Sequence, residues 1–459
     1  MKSSAMALTP KHTRTFALLP AVICAAVLVA MSLCPSPAHA QEDADRKTKQ
    51  TAAMGQKVYQ KLTEAQELIE NKQYQQGLSI LEEIERFPKL TTYERAQLYN
   101  YFAYTYFTME RYRDSIDAYK KVLREPELPE ALEANTLYTL AQLYFTIEDY
   151  RSAVQTIEKW FAQADKPTET AYLLLGQGYY QIGEYRKSVT PIDKGIAMVK
   201  ERGEVPSESL YLLKRAAYFE LKDYKGLVQV MRELVRLYPK KEHWMTLAGA
   251  YSELGDTRKQ MVIMELLYEA GNLTRAAQIK NLANLYLLHE TPVKAAQLLD
   301  RHIGDGTLEK SVQNLRLLAQ AWQQAKEDEK SIDPLKAAAA RSADGDMYVR
   351  LGQAYINLDR YGEAVDALRQ AIDRGQLRRP DQAHIMLGLS LFELQKYRPA
   401  KQAFQVAERD KRSRKAASQW IAYIDSEIER QEALSGDALM EDPDEAREAA
   451  PDVPPETPA

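Results

Sequence analysis

The sequence predicts an all-α protein of about ten helix pairs, followed by one further helix. Two observations predict this class. A short aromatic motif recurs along the chain, within units whose period runs from 33 to 39 residues, and such self-similarity is the signature of a repeat architecture. In addition, no sustained alternation of apolar and polar residues marks a strand in the 459-residue chain.

The recurring motif begins with an aromatic residue, with a small residue three positions later and a large apolar residue seven positions later. Clear copies begin at Tyr112, Tyr150, Tyr185, Tyr361 and Tyr397, and weaker copies begin at Tyr74 and Tyr224. Most copies follow a second element such as Leu351-Gly-Gln-Ala-Tyr355. Leu351 and Tyr355 share one helix face, and Gly352 allows a second helix to approach closely. These elements resemble the tetratricopeptide repeat family, whose unit is two antiparallel helices in about 34 residues.

This resemblance implies a tetratricopeptide-repeat superhelical solenoid, because one helix pair cannot bury its apolar stripe alone and neighbouring pairs must stack. Ten units are expected to begin near residues 58, 96, 134, 169, 208, 241, 276, 312, 345 and 381. The units at 241, 276 and 312 lack the aromatic residue that opens the second helix. A final apolar stripe predicts a C-terminal capping helix and consists of Ala417, Trp420, Ile421, Ile424 and Ile428.

The first forty residues have the layout of a secretory signal peptide. Lys2, Lys11 and Arg14 precede an uncharged run from Phe16 to Leu33. The segment Ala38-His-Ala40 then offers the small residues that a signal peptidase requires. We expect cleavage after Ala40 and release of the chain into the periplasm. The alternative is an uncleaved anchor, because the apolar run is nearly long enough to span a bilayer.

These features divide the chain into a signal peptide (1–40), a flexible leader (41–56), the solenoid (57–411), the capping helix (412–434) and an acidic tail (435–459). From Gly436 onward the sequence has eight acids, one arginine and five prolines. Its lack of apolar bulk predicts a disordered tail. Both cysteines, Cys24 and Cys34, lie in the signal segment, so we expect no disulfide in the exported chain.

The sequence after the signal segment contains no pattern that is typical of a catalytic, metal or phosphate site. It has no Gly-x-Ser-x-Gly elbow and no Gly-Lys-Ser/Thr phosphate loop. Its histidines match no metal spacing and are His243, His289, His302 and His384. A formal net charge of −4 gives no reason to expect nucleic acid. We therefore expect a protein that is not an enzyme and takes no metal, cofactor, nucleic acid or small-molecule substrate.

In tetratricopeptide folds the first helix of each pair lines a concave groove, and the resemblance assigns groove-facing positions here. These positions carry neutral amides and phenols and are Asn100, Tyr104, Tyr138, Gln142, Gln177, Gln181, Gln353 and Asn357. An amide can both donate to and accept from a peptide backbone, and tyrosine adds apolar area with a polar tip. The family's clamp for an acidic C-terminus needs lysine, asparagine and arginine, a set that these positions lack. The set therefore suits an extended peptide, and the alternative is that these are solvated polar residues without a partner.

Two positions do not fit the repeat pattern. Trp160 occupies a second-helix position that usually carries alanine, so we expect either a wider gap between repeats or smaller neighbours. Lys214 and Arg215 stand where leucine and glycine stand in other repeats. If this register holds, Arg215 lies between two helices and needs a carboxylate partner. The alternative is a small slip in which Ala216 or Ala217 takes the close-approach position.

Longer stretches resemble a narrower group, the periplasmic tetratricopeptide-repeat proteins that accompany TonB–ExbB–ExbD energy-transduction systems of Gram-negative bacteria. The stretches are Tyr238-Pro-Lys-Lys-Glu-His-Trp244, Arg379-Pro-Asp-Gln-Ala383, Asp410-Lys-Arg-Ser-Arg-Lys415 and Ser426-Glu-Ile-Glu-Arg430. This resemblance, which runs from about residue 57 to 431, implies a scaffold that supports TonB-dependent uptake of iron complexes or other nutrients. The alternatives are a general envelope scaffold for cell-wall or secretion assemblies, and a hydrolase with a helical solenoid body.

Overall fold

The computed structural model describes residues 54–437. These residues form 21 α-helices and contain no strand. The predicted all-α class, with ten helix pairs and one final helix, is confirmed. The predicted signal peptide lies outside the described residues, as do the predicted leader up to residue 53 and the predicted tail from residue 438 onward.

The first compact unit ends at Ala250. It contains α1 (Gln56–Glu70), α2 (Tyr74–Glu85), α3 (Thr92–Thr108), α4 (Tyr112–Val122), α5 (Glu130–Thr146), α6 (Tyr150–Phe161), α7 (Glu169–Gln181), α8 (Tyr185–Glu201), α9 (Glu208–Glu220) and α10 (Tyr224–Leu237). From α1 to α10, consecutive helices contact each other. They form five consecutive pairs, and α11 (Lys241–Glu253) runs across the division between the units.

The second unit begins at Tyr251. It contains α12 (Thr257–Glu269), α13 (Ala276–Leu288), α14 (Pro292–Gly304), α15 (Val312–Gln324), α16 (Asp328–Arg341), α17 (Asp346–Asn357), α18 (Tyr361–Arg374), α19 (Pro380–Glu393), α20 (Tyr397–Glu408) and α21 (Arg414–Asp437). Consecutive helices again contact each other. The first helices of all ten pairs begin within four residues of the predicted unit starts.

Each tyrosine that opens the motif is the first residue of a second helix. In four of the seven pairs that have this tyrosine, its ring packs against an aromatic ring five residues earlier, near the end of the first helix. The ring centroids are 5.6 Å apart for Phe145 and Tyr150, and 5.4 Å apart for Phe392 and Tyr397. Such pairs stabilise the turn through apolar burial and ring electrostatics, which explains why an aromatic residue marks the start of the helix.

A small residue on the first helix receives a large side chain of the second helix, as the motif predicts. A Cβ atom added to Gly352 would lie 2.7 Å from Cγ of Leu368, and one added to Gly388 would lie 2.7 Å from the ring of Phe404. Both large side chains are fully buried. The glycines therefore set the distance between the two helices of their pairs.

The turn inside every pair has one residue in the left-handed region, two positions before the second helix. Glycine takes this position only at Gly183 and Gly255. The other eight are Lys72, Glu110, Glu148, Lys222, Glu290, Lys326, Asp359 and Gln395, with φ between 53° and 62°. Left-handed backbone costs a residue with a Cβ about 1–2 kcal/mol, so packing of the two helices must impose this conformation.

The final helix α21 covers the apolar face of the last pair. Ala417 and Ile424 are fully buried, and Trp420, Ile421 and Ile428 pack against the same core. The ring of Trp420 stacks on Phe404 with a centroid distance of 5.6 Å. This is the predicted capping helix.

The misfit at Trp160 is resolved by an aromatic cluster rather than by small neighbours. Its ring lies 5.1 Å from the ring of Tyr138 and 5.1 Å from that of Phe161. Phe161 in turn lies 5.0 Å from Tyr172 on α7. The cluster therefore joins the third and fourth pairs through aromatic rings.

The register at Arg215 does not slip, because Arg215 lies nine residues before its second helix, as Gly352 does in its own pair. Arg215 is only half-buried, whereas Ala217 is fully buried. Close approach shifts to the second helix, where a Cβ added to Gly226 would lie 2.6 Å from the ring of Tyr218. Lys214 forms an ion pair with Asp193 at 2.5 Å. Within the described residues no carboxylate pairs with Arg215, so its expected partner is not found.

Candidate functional site

In each pair the first helix presents one accessible residue at the same position, and we call this set of residues the amide column. It consists of the residue eight positions before each second helix. The column is Gln66, Tyr104, Gln142, Gln177, Ala216, Gly249, Asn284, Gln320, Gln353 and Leu389. None of these ten residues is buried. In eight of the ten pairs, however, the residues immediately before and after the column residue are both buried. The helix geometry therefore holds these side chains on one face, at the surface.

All eight predicted groove residues lie on this face. Tyr104, Gln142, Gln177 and Gln353 belong to the amide column itself. Asn100 and Tyr138 lie one helical turn before the column, and Gln181 and Asn357 lie one turn after it. Gln66, Asn284 and Gln320 were missed by the sequence analysis. Counting back from the start of each second helix finds them.

In the first unit several of these amides have unused hydrogen-bonding capacity. The side chains of Asn100, Gln142, Gln177 and Gln181 make no hydrogen bond to other described residues. First helices of neighbouring pairs also touch directly, at α1 with α3 and at α7 with α9. An extended chain that crosses these helices would therefore meet amide donors and acceptors in succession.

The two tyrosines of the predicted set are more enclosed than the amides. Tyr138 packs on Trp160, and burial raises the pKa of its phenol. Burial also raises the pKa of Tyr104. Both phenols therefore stay neutral at physiological pH, and they supply apolar area and a hydroxyl rather than charge.

In the second unit the predicted amides bind each other. Nε2 of Gln353 donates to Oδ1 of Asn357 at 3.0 Å, and Nδ2 of Asn357 donates to Asp328 at 3.3 Å. The same face also carries Arg316 and Arg350, which line a cavity with Gln353. These arginines were not predicted, because the prediction rested on the neutral positions of the first helices.

The histidines take separate structural positions. Nε2 of His243 lies 2.8 Å from Glu208, that of His289 lies 3.0 Å from Thr257, and that of His302 lies 3.2 Å from the hydroxyl of Tyr268. Within residues 54–437 no three potential ligands come together around a metal-sized space. Nor does any helix in this range have the length and apolarity that a membrane span needs.

Comparison with known proteins identifies two segments. Residues 54–201 match the model of the RNPP family C-terminal domain, and residues 345–374 match the tetratricopeptide repeat model. The second match covers α17 and α18 with the turn between them, so it coincides with one helix pair. No curated protein sequence matches the chain significantly.

Several solved structures show a low similarity. The MamA protein is 19% identical over 38% of this chain and 92% of its own, with a TM-score of 0.32. The APC/C hetero-tetramer Cut9–Hcn1 gives 13% identity over 81% of this chain and 77% of its own, with a TM-score of 0.28. A tetratricopeptide repeat protein from Parabacteroides merdae is 13% identical over 65% of this chain and 99% of its own, with a TM-score of 0.31.

The assignment of the chain rests on its own repeats. One helix pair matches the tetratricopeptide model directly. The other pairs share its left-handed turn, and nearly all share its small residue at the close approach between helices. The chain therefore contains a helix pair of the tetratricopeptide type, within an array of similar helix pairs.

Proposed function

We propose that this protein is an interaction scaffold that binds an extended segment of another protein along α3, α5 and α7. The observation that carries this proposal is the accessible, neutral amide column of the first unit, where the side chains of Gln142 and Gln177 make no hydrogen bond to other described residues.

The spacing of the helices fits such a ligand. Where first helices touch, as α1 touches α3 and α7 touches α9, packed helices lie about 8–10 Å apart, and an extended chain rises about 3.3 Å per residue. About three ligand residues therefore separate successive column positions. Each amide can then donate to a ligand carbonyl or accept from a ligand N–H, while Tyr104 and Tyr138 cover the apolar side chains between them.

We further propose that the partner belongs to a TonB–ExbB–ExbD energy-transduction system and that the protein acts in the periplasm, in support of nutrient or iron-complex uptake. Support for this comes from the resemblance of four sequence stretches and from the signal-peptide layout of residues 1–40. An extended periplasmic stretch of a transducer protein would suit a neutral surface, because backbone contacts do not require a charged ligand.

In-cell photocrosslinking tests both the binding surface on the first helices and the identity of the partner. A photoreactive residue replaces Gln142 or Gln177, and a matched control replaces the exposed Gln155 on the second helix α6. We expect both column positions, but not position 155, to capture a TonB, ExbB or ExbD protein. Capture of cell-wall or secretion components would refute the TonB assignment and favour a general envelope scaffold. Equal capture from all three positions would contradict binding along the first helices.

A further inference from the structure

The second unit contains a cavity of about 290 Å³ that is rich in arginine. Four arginines line it, one from α15 (Arg316), one from α17 (Arg350) and two from the loop that leads into α19 (Arg378 and Arg379). The only carboxylate in the described lining is that of Asp346. We call this cavity the arginine pocket.

The positive charge of the arginine pocket is only partly balanced. Asp346 is held by Arg378, whose Nε lies 2.8 Å from Oδ2 and whose backbone N–H donates to Oδ1 at 3.1 Å. Arg379 pairs with Asp381, outside the lining. Within the described part of the chain, Arg316 and Arg350 form neither an ion pair nor a hydrogen bond. Two guanidinium groups are therefore free to bind an anion.

These two arginines also repel each other. Burial lowers the pKa of Arg350, and the positive charges of Arg316 and Arg378 lower it further. An anion between them would replace repulsion by attraction. A guanidinium binds a carboxylate through two parallel hydrogen bonds, so carboxylates fit the chemistry of the site.

The remaining lining suits a peptide rather than a free ion. Gln353 and Gln382 supply side-chain amides that match a peptide backbone, and Met347 and Met386 form a buried apolar wall. The volume is at the lower limit for ligand pockets. It can hold one or two carboxylate side chains with their backbone, but not a large ligand.

The chain itself contains a segment of the required chemistry. Residues 438–459 include seven acids and one arginine, and they follow α21 directly. The start of α21 lies beside the pocket, because Arg412 pairs with Asp381 at 3.2 Å and Asp381 also pairs with Arg379.

The length of chain is sufficient to return to the pocket. The 24 residues of α21 span about 36 Å at 1.5 Å per residue. Eleven extended residues, from Asp437 to Glu448, span about 36 Å at 3.3 Å each. Glu448, Asp452 and Glu456 can therefore reach the start of α21 from its far end. Tethering raises the effective concentration of such a segment to the millimolar range, so weak ion pairs are sufficient to hold it.

We propose that the arginine pocket binds the chain's own acidic segment, Glu448–Glu456, through ion pairs to Arg316 and Arg350. The pocket then has an internal ligand, which an acidic segment of another protein must displace before it can bind there. This proposal goes beyond the scaffold function and does not depend on the identity of the partner.

Photocrosslinking within the full chain tests the proposal. A photoreactive residue replaces Val453, which leaves every acid of the tail in place, and mass spectrometry maps the captured residues. We expect capture of the pocket lining, with Met347 and Met386 among the products. Capture should fall at least tenfold in Arg316→Gln and Arg350→Gln and in roughly 0.5 M salt, because high salt screens ion pairs. Arg369→Gln, at an exposed position of α18, is the matched control and should leave capture unchanged.

Three results would overturn the proposal. Capture that is scattered over the surface at low salt, or pocket capture that both glutamine variants leave intact, would show that the arginines do not hold the segment. In a mixture of isotopically light and heavy chains, crosslinks between a light and a heavy chain would show that the ligand comes from a second molecule. If a pocket variant fails to fold, Asp452→Asn with Glu456→Gln provides the same test from the tail, and unchanged capture would again overturn it.

Discussion

The Asp381 carboxylate accepts a hydrogen bond from the Ser413 hydroxyl at 2.7 Å, and this contact links the last helix pair to the capping helix. The side chain of Asp381 is 1% exposed. Arg379 and Arg412 pair with its two oxygens at 2.7 and 3.2 Å. The hydrogen bonds from Arg379 hold the pKa of this carboxyl far below its usual range, although burial acts in the opposite direction.

The stability of the capping helix should therefore fall in acid. The pKa of Asp381 is lower in the folded than in the unfolded state, so its contribution is present above the unfolded value of about 3.9 and is lost as the pH falls below it. We expect amide hydrogens of α21 to exchange faster below about pH 4.

Asp381→Asn should weaken the attachment of α21 by about 2 kcal/mol at neutral pH, as is typical for hydrogen bonds to a charged group. It should also flatten the pH dependence of amide exchange in α21. The exposed Asp373→Asn is the control, and an equal effect there would contradict the assignment.

Two glycines in the last three pairs should respond oppositely to alanine. Gly388→Ala places a Cβ within 2.8 Å of the Phe404 ring in a closed core, so we expect it to destabilise the protein by about 1–3 kcal/mol. Gly362 lies in α18 with no atom within 4 Å of the added Cβ. Gly362→Ala should stabilise by about 0.5–1 kcal/mol, because helical alanine loses less backbone entropy. Chemical denaturation measures both, and equal midpoints would disprove the close-approach role of Gly388.

Substitutions at the left-handed turn positions should also change the stability of the protein in opposite directions. Gly183→Ala has space for the new Cβ but keeps φ at 81°, so we expect a loss of about 1 kcal/mol from backbone strain alone. Lys326→Gly should raise stability by up to about 1 kcal/mol, since it removes the same strain at φ 61°. Chemical denaturation measures both variants. If their unfolding midpoints shift in the same direction from that of the wild type, backbone strain does not control the stability of these turns.

Binding along the amide column should depend weakly on salt. Gln142→Ala and Gln177→Ala should each lower the affinity for the captured partner about fivefold, the equivalent of about 1 kcal/mol for a lost neutral hydrogen bond. Gln155→Ala on α6 should have no effect. Between 50 and 300 mM salt the affinity for the wild-type chain should change little, because neutral contacts are not screened. Isothermal titration that shows a steep salt dependence would exclude this mode of binding.

The periodic features of the fold could be predicted because each depends on residues close in sequence. The opening tyrosines mark where second helices begin, and the stripe through Ala417 and Ile424 marks the capping helix. Features that join residues about 31–35 positions apart could not be predicted. The Asp381 network brings together two stretches, 379–383 and 410–415, that the sequence analysis noted only as a resemblance.

Contacts between residues far apart in sequence also escaped prediction in the first unit and in the arginine pocket. Within the stretch from Tyr238 to Trp244, the hydroxyl of Tyr238 donates to the carbonyl of Pro206 at 2.8 Å, and His243 bonds Glu208. Arg316 and Arg350 come from neighbouring pairs, and their charges face each other only because the pairs stack in one register. Composition along a single helix cannot show this, since each arginine alone has the appearance of an ordinary surface residue.

The recurrence of one turn conformation in all ten pairs has a consequence for how the chain can change in length. Because the left-handed residue tolerates lysine, glutamate, aspartate, glutamine or glycine, a turn needs no special side chain in order to connect two helices. A whole pair can therefore be duplicated or deleted without new loop chemistry, provided that the apolar faces on either side still match. Variation in copy number should be tolerated best between pairs joined by aliphatic contacts, and least at the Trp160 ring cluster, because its ring packing continues to Tyr172 of the following pair.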